Sequence, residues 1–144
     1  MTPLRMHAHI MSLALKHTVS IEKSEGSGSF AQPQQRRIIL DNFPIGGSRA
    51  YAVALHEMGH VVEPLAHPEM SEAEHRAGAE GRTTPFRMGG EIAAWYWARS
   101  VALVWDRTME YSAQYSLHSY AHSVRWASHP NVIVRLSGMI DLEK

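Results

Sequence analysis

The chain has 144 residues, enough for one compact domain with an ordinary buried core. Lys plus Arg equals Asp plus Glu at 14 each, and this balance speaks against a nucleic-acid partner, which calls for a basic excess. There is no cysteine, so a disulfide scaffold is excluded and any metal site must draw on His and carboxylate ligands.

No apolar run approaches the roughly 18 residues of a membrane-spanning helix. The mildly apolar Ile10–Leu15 lacks the cleavage pattern of a signal peptide. The expectation is a cytoplasmic protein with no membrane partner. Histidine is abundant, with 10 copies, so each His pair has to be judged on spacing and context.

In chain order, Leu4 to Lys16 reads as an amphipathic helix with Leu4, Ile10, Met11, Ala14 and Leu15 partly on one side. Thr18–Glu22 carries β-branched Thr18, Val19 and Ile21 and reads as a strand. Lys23–Gln35 is rich in Gly, Ser, Gln and Pro, which favour turns. Arg37–Leu40 is a second strand, and the pattern predicts a hairpin with a long mobile tip. Phe43–Ser48 then breaks the pattern.

Arg49 to about Glu63 is the clearest helix. Ser48 is its predicted N-cap, Ala50, Val53, Ala54, Leu55, Met58 and Val61 give an apolar side, and Pro64 stops it. Ala66–Gly90 is mixed and polar, with Ser71 and Glu74 resembling a capping box for a short helix over roughly Glu72–Glu80. Gly89–Gly90 is read as another break. A further helix is predicted from Glu91 to about Trp105, with Ile92, Trp95, Ala98, Ala102 and Trp105 at spacings of three and four. Asp106 is placed as the cap of a third strong helix, Arg107 to about His122. Val132–Leu136 is a candidate strand. No internal repeat or domain boundary is visible.

The chemistry is concentrated in His56-Glu57-Met58-Gly59-His60, an H-E-x-x-H sequence. Helix residues four apart share a face, so the two imidazoles can reach one Zn²⁺. Glu57 follows the first ligand and can take a proton from water activated at the metal without ligating it. A catalytic zinc needs three protein ligands and one open position. Glu91 is the predicted third ligand, because it opens the next strong helix among apolar neighbours. Its alternative role is to favour the positive end of that helix. His67 ranks second, followed by Glu72, Glu74 and His75.

Leu55-His56-Glu57-Met58-Gly59-His60 and Glu91-Ile92-Ala93-Ala94-Trp95-Tyr96-Trp97-Ala98 together resemble the small gluzincin metallopeptidases, especially the ImmA/IrrE-type group common in bacteria, phages and mobile elements. The resemblance covers roughly Thr18 to Trp105. It implies an α+β fold: a single, mainly helical, zincin-like minimal metallopeptidase domain over 1–144, with its core at about 18–122. A small antiparallel sheet would pack on the motif helix. It also implies an edge strand, matched here by Arg37–Leu40, along which a peptide substrate extends.

The resulting expectation is a zinc peptidase with one Zn²⁺ per chain, held by His56, His60 and Glu91, with Glu57 as general base and a protein or peptide as substrate. Two alternatives stand beside it: a catalytically silent, zinc-stabilised interaction module, and a zinc amidase acting on cell-wall peptide. Tyr111, Tyr115, His118, Tyr120 and His122 read as a polar helix face from which one member can serve as oxyanion donor. Trp95, Trp97, Trp105 and Trp126 read as packing.

Overall fold

A computed structural model describes residues 1–66 and 85–122. Within them the fold is α+β, with four helices and one three-stranded sheet. No helix among the described residues is long and apolar enough to cross a membrane.

Helix α1 spans Pro3–His17. Thr2 caps it by accepting from the Arg5 N–H, and Pro3 suits the first turn because its missing N–H would have no helical partner. Thr18 ends it in the left-handed region at φ 55°. There the Thr18 N–H donates to Leu15 and the Val19 N–H to Ala14, which satisfies two carbonyls of the last turn. That closure takes Thr18 and Val19 out of the predicted strand, which runs instead over Ser20–Lys23 as β1. The buried face of α1 is Met6, Ile10, Leu13 and Ala14. Leu4 and Leu15, placed on the apolar side from sequence, are 77% and 84% exposed.

The predicted hairpin is not formed. Strand β2, Phe30–Gln32, arises inside the segment read as a loop, and β3 is Arg37–Leu40. The sheet order is β1-β3-β2. β1 pairs parallel with β3, with Ser20 opposite Arg37 and Lys23 opposite Leu40, and β2 pairs antiparallel with β3. The sheet is therefore mixed rather than antiparallel. Arg37–Leu40 is its central strand rather than an edge, which explains why Ile38, Ile39 and Leu40 are all buried.

Helix α2 spans Ser48–Val62 and carries the H-E-x-x-H sequence. Ser48 is not its cap. That position falls to Gly47, and the Ser48 hydroxyl donates to the Asp106 carboxylate instead. α2 is the centre of the fold, since α1, the sheet and both later helices pack against it. Tyr51, Ala52, Ala54, Leu55, Met58 and Val61 are all buried there.

Helix α3 spans Pro85–Val101. Gly89 and Gly90 lie inside it and do not break it, so Glu91 sits well within the helix rather than at its start. It stops at Val101, short of the predicted Trp105. Helix α4, Arg107–His122, is capped by Asp106, whose carboxylate accepts from the Met109 N–H at 2.9 Å. The short helix predicted over Glu72–Glu80 and the strand over Val132–Leu136 lie outside the described residues, as do His67, Glu72, Glu74, His75 and Trp126.

Candidate metal centre

Three features of the sequence bring the predicted ligands together. The four-residue spacing places His56 and His60 on one face of α2. That face is buried because α3 covers it. The approach of α3 is close because residue 59 is glycine: a Cβ there would lie 2.7 Å from the backbone oxygen of Ala94 and 3.1 Å from its Cα. With α3 this near, Glu91 reaches the two imidazoles.

His56 Nε2 is 2.8 Å from Glu91 Oε2, His60 Nε2 is 3.1 Å from Glu91 Oε1, and the two Nε2 atoms are 3.2 Å apart. Two ligand atoms bound tetrahedrally at 2.0–2.1 Å from zinc sit about 3.3 Å apart. The observed triangle is close to one face of such a tetrahedron, with edges shorter by about half an ångström or less. Among the described residues, this is the group of three that can hold a metal ion. His56 and Glu91 are buried, and His60 is the most open of the three.

The charges around the group favour a cation. His60 Nδ1 lies 2.8 Å from the Ala66 carbonyl oxygen. A carbonyl can only accept, so Nδ1 donates there and Nε2 is the nitrogen turned toward Glu91, at 3.1 Å. Burial alone would lower the pKa of His56, but the carboxylates of Glu57 and Glu91 outweigh it and lift the pKa to about 9. Burial likewise pushes the Glu91 carboxyl up, and the hydrogen bonds and charges of His56 and His60 overcome this and hold it well below the usual carboxylate range. The two carboxylates that favour a proton on His56 also favour a positive ion beside it.

Glu57 is buried beside the cluster but is not part of the triangle. Its Oε1 lies 3.2 Å from His56 Nδ1, the outer nitrogen of the first ligand. Tyr111 and Tyr115 stack on each other in an exposed position on α4.

Three contributors were not read from sequence. Gly59 stands at a variable position of the motif. Nothing in a local pattern marks the Ala66 carbonyl. Trp95, which reads as packing, lies one turn after Glu91 and stacks on the His56 ring at 4.2 Å with 12° between planes. No family model, curated protein or solved structure matches the chain, so the case for this centre is its own geometry.

Proposed function

We propose that the chain is a zinc-dependent peptidase in which His56, His60 and Glu91 hold one Zn²⁺ and Glu57 is the general base. The observation that carries this reading is the His56–His60–Glu91 triangle, whose edges of 2.8 to 3.2 Å approach those of a tetrahedral face. The resemblance of both motifs to small gluzincins supports the same reading.

Zinc held by His56, His60 and Glu91 would supply a Lewis acid for water and for the scissile carbonyl. Glu57, one residue from His56 and shielded from bulk solvent, would accept the proton of the attacking water and deliver it to the leaving amine. His60 keeps its ligating tautomer because Ala66 holds the other ring hydrogen. The substrate, a protein or peptide, extends along an edge strand. β2 fits this role better than Arg37–Leu40: it has a free edge in the described sheet and packs on α2.

A second reading is favoured by the Glu57 contact with His56 Nδ1. In it Glu57 only orients the ligand, and the zinc stabilises a silent interaction module. Metal analysis and hydrolysis of unstructured protein separate the two. The peptidase reading expects one zinc per parent chain, loss of zinc in His56→Ala and Glu91→Ala, and a Glu57→Gln chain that keeps zinc but loses hydrolysis by a hundredfold or more. Retention of full zinc affinity in Glu91→Ala would overturn the ligand assignment. A Glu57→Gln chain with weakened zinc, alongside a parent that hydrolyses nothing, would favour the silent module.

A further inference from the structure

The two histidine ligands are held in different ways. His60 is fixed by a hydrogen bond to the Ala66 carbonyl at 2.8 Å. His56 meets the Glu57 carboxylate at its outer nitrogen, at the longer distance of 3.2 Å. Its ring also lies flat on the Trp95 indole, with centroids 4.2 Å apart and planes 12° from parallel. Trp95 is 2% exposed, and its Nε1–H has no hydrogen-bond partner among the described residues. The indole is therefore held by its face and not by its polar edge.

Behind Trp95 stands Trp105, edge-to-face at 6.5 Å and 79°. Trp105 is anchored in turn: its Nε1–H donates to the carboxylate of Glu110, a buried acid in the first turn of α4. Arg99 Nη1 lies 3.9 Å from Glu110 Oε1. The start of α4 is itself tied to the start of α2, where the Ser48 hydroxyl donates to Asp106.

We infer that Trp95, Trp105 and Glu110 form a buttress that sets the plane of the His56 ring, and that they are positioning residues of the metal centre. The inference rests on the zinc reading above. A ring that turns about its Cβ–Cγ bond swings Nε2 off the metal, and a flat, buried neighbour on one face prevents that turn. The force is shape and dispersion across the stacked faces, so a second flat ring can replace the first, while a branched aliphatic side chain cannot. Glu110 acts at one remove by fixing the indole that backs the stack.

The test uses the full chain, with zinc affinity measured by chelator competition and the visible spectrum of the Co²⁺-loaded protein as the geometric readout. Loss of an outer-shell partner weakens metal binding by about 10–100-fold. Trp95→Leu is expected to weaken zinc by that factor and to shift the Co²⁺ bands. Trp95→Phe, which keeps a flat ring, is expected to stay within a few-fold of the parent with an unchanged spectrum. Trp105→Leu and Glu110→Gln are expected to move affinity and spectrum the same way by less, and to add little to Trp95→Leu. Should Trp95→Leu fail to fold, Trp105→Leu and Glu110→Gln carry the test alone.

Folded Trp95→Leu or Trp105→Leu chains with parental affinity and spectrum would overturn the buttress and leave the zinc reading standing. Changes in melting temperature alone would do the same. A parent that takes up neither metal would overturn both.

Discussion

Tyr51 joins three parts of the fold through one hydroxyl. Its oxygen accepts from the Leu103 N–H at 3.1 Å, beyond the end of α3, and meets His9 Nδ1 of α1 at 2.6 Å. Burial raises the pKa of the phenol, against a smaller opposing pull from the Leu103 N–H, and lowers that of His9. A histidine with a lowered folded pKa takes up its proton in the unfolded chain first. Its contribution to stability is thus complete above about 6.5 and is lost as pH falls from there toward the folded value. The parent should lose stability relative to His9→Asn below pH 6.5, as read by urea titration across pH. A parent that gained on the variant in that range would contradict the argument. At this scale the members of the candidate group were legible because spacing alone puts His56 and His60 on one face, and Glu91 stood out as an acid among apolar residues. Tyr51, Ala66 and Trp95 were not, because a long-range hydroxyl bond, a carbonyl and a ring stack leave no period in the sequence.

Among the elements, the contact between α2 and α3 decides most. Gly59→Ala would set a methyl 2.7 Å from a backbone oxygen, which no side-chain rotation can relieve. Overpacking of this kind costs about 1–3 kcal/mol, against a gain of about 1 kcal/mol in helix propensity, so the net change is a loss of up to roughly 2 kcal/mol. Zinc affinity should fall with it, because Glu91 rides on the displaced helix. Denaturant unfolding together with chelator competition checks both, and a variant as stable and as tight as the parent would show that α3 can yield without moving its carboxylate. The helices were legible from their apolar periods, with two local errors. Gly89–Gly90 costs about 2 kcal/mol of propensity against two alanines. That is less than the packing of Met88, Ile92 and Trp95 in the core returns, so the helix runs through. Ser48 looked like a cap, but its hydroxyl found Asp106, a partner far away in sequence.

For the molecule as a whole, an ion held by this group would be part of the stability. The group is gathered from α2 and α3 and exists only in the folded chain, so zinc held at 100 times its dissociation constant would add about 2.7 kcal/mol. Chelation should therefore lower the melting temperature of the parent by several degrees and leave Glu91→Ala unmoved. An equal response in both would place the metal elsewhere. The α+β class was readable because long helical periods and short β-branched runs differ in the sequence itself. The pairing was not: a local pattern shows that a strand exists, and nothing in it distinguishes a parallel neighbour from a hairpin partner.

The strand order β1-β3-β2 also bears on how the fold is assembled. The middle strand is the last of the three to leave the ribosome. Residues 20–23 and 30–32 wait as unpaired segments, each too short to persist alone, until residues 37–40 emerge between them. Both pairings of the described sheet run through residues 37–40, so a change that breaks this one strand removes them together.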